Sequence, residues 1–485
     1  MKSQHNKQRV LSIAIFILFF WGTTERIFSA PTDRSVRPVG KPTPKVLLPK
    51  IQKTSLKNGL NVWLVEHHEL PTVAMNLVFQ SGAMYDKDMP GLAALTADLL
   101  DEGTATRDAL QISEELESIG ANLGVSSNFD GSNVSLFALK KHLDKAMGIF
   151  ADVLLHPTFP QKEFERLKNT RLTSLTQQRD QPTAIANNAF NFILYGSEYP
   201  YGNNITGNEI SLNGMTRDDI KRFYDTHYRP NNATLIVVGD ISLNEVAKKL
   251  ESALQEWKQQ PIPMENNEFE YKPVKRTLYM IDKPGAVQSE IRIGYPALAR
   301  STPDYFPVTV MNRMLGGQFA SRINMNLREK HGFTYGARSS FSFLKNAGPF
   351  SAAAGVTTAK TDSSLMEFMY ELNKMHDEGL TAEELSFVKK GLIGGFALGF
   401  ETPAQIAGSL QSIVLYGLPE NYFENYLSNI EKVTLSDVQN ISQKYVDTST
   451  MVVVVVGDLS VIKDGVLALN LGDVVYCDVD GKPIK

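Results

Sequence analysis

The chain repeats itself at an interval of about 216 residues, and this duplication constrains the fold more than any single segment does. "NATLIVVGDIS" at 232–242 returns as "STMVVVVVGDLS" at 449–460, with the pairs Gly239-Asp240 and Gly457-Asp458 lying 218 positions apart. "VWLVE" at 62–66 has its counterpart in "LYMID" at 278–282, an offset of 216. "LLDEGT" at 99–104 is echoed by "MLGGQ" at 314–318, an offset of about 215. One such echo arises by chance; three in register imply two copies of one α+β unit, at 51–257 and 274–472. Between them "KQQPIPMENNEFEYKP" (258–273) is polar and proline-marked, as a linker is. Within the first copy, "LNVWLVEH" and "TVAMNLVFQSGAMYD" read as strands, and a helix follows the turn at "DMPG".

Composition excludes several classes of function. The 485 residues are 42% hydrophobic and 21% charged, with a net charge of −4, so there is no basic field for nucleic acid. The first thirty residues stand apart. Lys2, Lys7 and Arg9 precede the thirteen-residue apolar run "VLSIAIFILFFWG" (10–22), and small residues follow near Ala30. That order is a secretion signal, or an anchor if it stays uncleaved, and it places the body in a periplasmic or secreted setting. Residues 31–50, with five prolines, form an extended spacer. Cys477 is the only cysteine, which rules out an intrachain disulfide and a thiolate metal site.

The helix in "GLAALTADLLDEGT" (91–104) carries two faces. Leu92, Leu95 and Leu99 make an apolar ridge, whereas Ala94, Ala97 and Asp98 share the other side. The second spacing is the way a helix presents two metal ligands and a base to one point, yet two of the three side chains are methyl groups. The stretch "QSGAMYDKDMPGLAALTADLLDEGT" resembles the opening of the inverted-zincin metallopeptidases, family M16, which includes pitrilysin and the mitochondrial processing peptidase. In that family the histidines of an H-x-x-E-H motif hold zinc and its glutamate activates water. The resemblance lays those positions on Ala94, Ala97 and Asp98, which are therefore degenerate. The family's further acidic ligand lies some 75 residues on, and "RLKNTRLTSLTQQR" (166–179) contains no acid. None of the eight histidines pairs with another at i, i+4. The reading is no metal in this chain, with Asp98 a solvated or capping carboxylate.

A second signature is intact. "LGGQFASRINMNLREKHGFTYGARSSF" (315–341) places the apolar pair Ile323 and Leu327 on a short helix. Arg328 follows in its last turns, Gly332 ends it in the left-handed region, and Tyr335 starts a strand. The stretch is similar to the family's R-x6-Y element, whose arginine and tyrosine bind substrate near the zinc and support the oxyanion. Gly316 and Gly317, counted with them as substrate-binding candidates, allow close backbone approach to a substrate or to a neighbouring strand.

The resemblance covers roughly residues 50–470. It implies an α+β fold of two homologous sister domains, each a LuxS/MPP-like α/β roll, together forming half of a clamshell. It also implies the non-zinc member of a heterodimeric zinc metallopeptidase. Arg328 and Tyr335 would then act in trans at the site of a zinc-bearing partner that hydrolyses peptides or unfolded polypeptides. The alternative is a catalytically inactive structural, assembly or chaperone-like peptide-binding protein.

Overall fold

Five consecutive valines from Val452 form a strand with every residue buried, which requires cover on both faces of its sheet. A computed structural model of the chain describes residues 50–263, 269–271 and 275–484 and shows what supplies that cover. The secretion signal, all of the spacer except Lys50, and the central part of the linker lie outside the described residues.

The first domain runs β1 (Gln52–Ser55), β2 (Asn61–Glu66), β3 (Thr72–Phe79), α1 (Leu92–Asp98), α2 (Ala109–Glu117), β4 (Asn122–Ser127) and β5 (Ser132–Leu139). It continues through α3 (Leu143–Leu155), α4 (Gln161–Gln178), α5 (Pro182–Tyr195), α6 (Glu209–Gly214), α7 (Arg217–His227), β6 (Ala233–Gly239) and α8 (Leu243–Ala253). The second repeats the plan: β7 (Thr277–Asp282), β8 (Gln288–Leu298), α9 (Tyr305–Leu315), α10 (Arg322–Asn324, prolonged by a π-helical turn over Met325–Lys330), β9 (Thr334–Phe341) and β10 (Gly348–Thr357). There follow α11 (Thr361–Glu378), α12 (Ala382–Phe396), α13 (Pro403–Tyr416), α14 (Tyr422–Lys432), α15 (Leu435–Tyr445), β11 (Val452–Gly457), α16 (Leu459–Ala468) and β12 (Asp473–Cys477).

The two sheets have the orders β1-β2-β6-β3-β5-β4 and β12-β7-β11-β8-β10-β9. Position for position they match, and both pair the equivalent strands β2–β6 and β7–β11 in parallel. They differ at one edge. In the first sheet β1 lies antiparallel to β2, whereas in the second β12 lies parallel to β7. The second domain therefore extends past 472, because the chain's end completes its sheet. Cys477 closes that strand, buried, and burial pushes its thiol up to about 11, so it is not poised to react.

Each sheet packs its own helices on one face and a helix of the sister domain on the other. Ile406, Ala407, Leu410 and Ile413 of α13 cover Val65, Val78, Ile236 and Val238 of the first sheet. Reciprocally, Ile185, Ala186, Ala189 and Phe190 of α5 cover Ile281, Val452, Val454 and Val456 of the second. Both crossing helices begin with proline at the first turn, where the missing N–H costs nothing. Buried polar groups fix this exchange. Arg292 pairs with Glu290 at 2.8 Å and donates to Asn187 on α5, while Thr183 donates to Glu290 at 2.7 Å. A buried charge pair so fully bonded specifies which helix sits there, even where it adds little net stability. Among the described residues no helix is long and apolar enough to cross a membrane.

Candidate functional site

The degenerate metal positions lie on α1. Its start is fixed by Asp86, whose carboxylate accepts hydrogen bonds from the Gly91 N–H at 2.8 Å and the Ala93 N–H at 2.7 Å. Those donors are the orphans of a helix N-terminus, and the Asp86 oxygens satisfy them. The same carboxyl is almost wholly buried, and desolvation pushes it up to about 7. Gly91 has φ 95°, and a Cβ on it would stand 2.7 Å from Gly207. Ala94 and Ala97 are buried methyls that offer no lone pair.

Asp98 is neither free nor a cap. Arg171, from α4 and 73 residues along, donates Nη2 to the Asp98 carboxylate at 2.6 Å. Its Nη1 reaches the carbonyls of Gly91 at 3.2 Å and Thr206 at 3.4 Å. The guanidinium is almost buried, and a metal cation brought to Asp98 would meet this fixed positive charge. Nearby, burial pushes Asp101 up to about 6, with Glu102 and Asp98 adding to the effect. Among the described residues no three His, Cys, Asp or Glu side chains stand together to hold a metal ion. Two methyls, one carboxylate and an arginine do not fit zinc.

The second constellation is built entirely by the second domain. Ile323 and Leu327, both fully buried, anchor α10. The π-helical turn follows, with His331 N–H bonding back to Asn326 O at 3.1 Å, and Gly332 ends it at φ 65°. Such turns are rare and widen the helix locally, and here one carries Arg328. Asn324 pins the helix to the next strand by accepting the Ala337 N–H at 3.1 Å, and Asn326 donates to Glu367 and Glu371 of α11. The Arg328 side chain is 40% exposed, with its guanidinium 4.8 Å above the Phe319 ring and 3.3 Å from the Glu329 carboxylate. Tyr335, at the start of β9, is 88% exposed, and its hydroxyl bonds no described residue.

Arg328, Tyr335, Gly316 and Gly317 line one cleft of about 610 Å³. The close approach at Gly316 is to a strand: its carbonyl accepts the Ser339 N–H at 3.1 Å, and a Cβ would lie 2.2 Å from that nitrogen. A Cβ on Gly317 would press at 3.0 Å on the Asn312 carbonyl. β9 is the sheet's edge, but Asn324, Gly316 and Asn312 already occupy the outward groups of Ala337 and Ser339. At those residues the cleft presents side chains rather than an open strand edge. Arg313 and Arg338 line it beside Arg328, and no carboxylate does so among the described residues, which suits a carbonyl, carboxylate or oxyanion. Neither arginine was singled out from the sequence, because each comes from a different element.

The model of the insulinase-type domain of peptidase family M16 matches residues 61–205, and that of the peptidase M16 inactive domain matches residues 214–392. The chain belongs to peptidase family M16. Among its M16 relatives is the non-peptidase homolog YmxG of Helicobacter pylori, 26% identical over 81% of this chain and 90% of that one. The uncharacterized zinc protease YmxG of Bacillus subtilis is 23% identical over 81% of this chain and 95% of its own. The solved peptidase M16 inactive domain from Pseudomonas fluorescens superposes with a TM-score of 0.79 at 28% identity, over 84% of this chain and 98% of that one. The two-domain M16 fold expected from the sequence is thus the fold observed. This is an inactive-type M16 chain, with its metal positions filled by methyl groups and an arginine–aspartate pair. The inactive-domain match contains the Arg328–Tyr335 cleft.

Proposed function

We propose that this protein is the non-zinc subunit of a heterodimeric M16 metallopeptidase and lends Arg328 and Tyr335 to the site of a zinc-bearing partner. One observation carries the reading: Tyr335 stands 88% exposed on the lining of an arginine-lined cleft, with no hydrogen bond to its hydroxyl among the described residues. A tyrosine in a strand ordinarily buries its ring or bonds its hydroxyl, and this one does neither. A zinc centre on that partner would supply the activated water. The Arg328 guanidinium holds a peptide carbonyl or carboxylate, and the Tyr335 hydroxyl donates to the oxyanion as the tetrahedral centre forms. The substrates are peptides or unfolded polypeptides. The leader at the N-terminus fits action outside the cytoplasm, in a periplasmic or secreted setting.

The test is hydrolysis of a quenched fluorescent peptide by this protein, by a zinc-loaded M16 subunit from the same source, and by the two mixed. Activity appears only in the mixture, and Tyr335→Phe lowers its kcat by about 10²–10³, the loss typical of one oxyanion donor. Full activity with Tyr335→Phe, or two proteins that neither associate nor hydrolyse, would leave the scaffold or chaperone reading in its place.

A further inference from the structure

A cavity of about 790 Å³ opens in the first domain between α4, α5, α6 and the chain's C-terminal tail, apart from the Arg328 cleft. Its volume is that of a ligand site. Leu172, Leu175, Phe192 and Ile210 give it an apolar lining, with Ile210 84% exposed.

The uncharged polar wall is mostly carboxamides, with the hydroxyls of Thr176 and Ser197 beside them. Gln178 Oε1 accepts from Asn204 at 3.2 Å and from Asn188 at 3.5 Å, while Asn204 also reaches Asn188 at 3.5 Å. The Asn204 side-chain carbonyl is already taken by the Thr206 N–H at 3.0 Å and hydroxyl at 2.8 Å, whereas the two bonds to Asn188 are long at 3.5 Å, so a ligand offering better geometry can replace those at little cost. The Gln178 and Asn188 carboxamides each carry N–H donors beside a C=O acceptor, the same pair that a peptide bond presents.

Charge at the mouth cancels. Arg179 lies 3.3 Å from Asp480 and 3.8 Å from Glu209, and Lys482 completes two cations against two anions. A polyanion or polycation gains nothing there. An aliphatic lining with a single phenylalanine also lacks the aromatic platform on which a sugar ring would stack.

We propose that this cavity binds an extended, uncharged peptide segment, with apolar side chains against its apolar lining and main-chain amides against Gln178 and Asn188. The site needs neither Arg328 nor Tyr335 and stands independently of the heterodimer reading.

The test is fluorescence anisotropy of the full chain with a fluorescein-labelled ten-residue peptide of Ser, Thr and Gln around a central Leu-Val-Leu. Lys-rich and Asp-rich peptides of equal length serve as comparators, and a malto-oligosaccharide as competitor. The neutral peptide binds at least tenfold tighter than either charged one. Ile210→Glu, at an exposed position that does not threaten folding, and Gln178→Ala each raise its Kd about tenfold or more. Equal affinity for all three peptides would overturn the proposal, as would wild-type affinity in both variants or displacement by the oligosaccharide. Binding lost in Arg328→Ala but kept in Ile210→Glu would place the peptide in the other cleft, overturning this site alone.

Discussion

If the Arg171 guanidinium stands in for the family's metal as the cation joining α1 to α4, its removal must loosen that joint by a calculable amount. Arg171→Met keeps most of the side chain's apolar stem and deletes three donated bonds, to Asp98 at 2.6 Å, Gly91 at 3.2 Å and Thr206 at 3.4 Å. The Gly91 carbonyl retains its helical bond from Leu95, and Asp98, with its side chain 45% exposed, recovers water. The loss is therefore below the 3–5 kcal/mol of a fully buried broken pair and nearer the ~2–3 kcal/mol of charge-assisted bonds. For a domain of this size that lowers the melting temperature by about 4–12 °C. Asp98→Asn leaves the arginine its two carbonyls and costs only about 0–1 kcal/mol, as half-exposed pairs do. Thermal melts of wild type, both single variants and the double variant supply the cycle. A melting temperature for Arg171→Met within 1 °C of wild type, or an Asp98→Asn loss as large as that of Arg171→Met, would refute the reasoning.

Three further outcomes follow from the same geometry. Ala94→His with Asp98→His takes up zinc, read by competition with a chromophoric chelator, only when Arg171→Glu is added; uptake with Arg171 intact would show that its charge does not exclude a metal. Gly316→Ala forces a methyl to within 2.2 Å of the Ser339 nitrogen and destabilises the second domain by about 1–3 kcal/mol, measured by urea titration. Asp86, pushed up to about 7, is protonated in the folded chain and ionised in the unfolded one between about pH 4 and 7. Folding takes up that proton, so stability falls as pH rises through the window, by at most about 1.4 kcal/mol per unit, and Asp86→Asn removes this slope. Parallel stability curves for the two proteins across pH 4–7 would contradict the assignment.

What could be read from the sequence was local or periodic. Offsets of 215–218 residues disclosed two sheets of one plan, and Ile323, Leu327, Gly332 and Tyr335 fell where their spacing placed them because helix, cap and strand are short-range features. The exchange of α5 and α13 left a trace that went unread: "PTAIANNAF" at 182 and "PAQIAGSLQ" at 403 begin alike, 221 residues apart. The Arg171–Asp98 contact left none, since an arginine on a polar helix has no periodic signature and its partner lies 73 residues away. The same holds for β12, whose pairing partner is nearly two hundred residues upstream, and for Arg313 and Arg338, brought to the cleft from α9 and β9. The π-helical turn has no sequence signal either. It follows from packing, as Asn324 and Asn326 hold the helix to β9 and α11.

The exchange of helices also limits how this chain can take part in catalysis. Each sheet is roofed by the other domain's helix, and a buried Glu290–Arg292 pair fastens one of those roofs. Swinging the domains apart would expose both apolar faces and strand a charge pair in a dry interface, a cost of many kcal/mol. The cleft holding Arg328 and Tyr335 is lined wholly by residues 305–392, and nothing from α1 or α4 reaches it. The degenerate metal position and the intact arginine–tyrosine pair therefore lie on different domains, which the exchanged helices hold in one body. On the proposed function the oxyanion that Tyr335 supports forms at a zinc-bearing partner, so association with that partner, measured before any activity, is the observation on which the proposal turns.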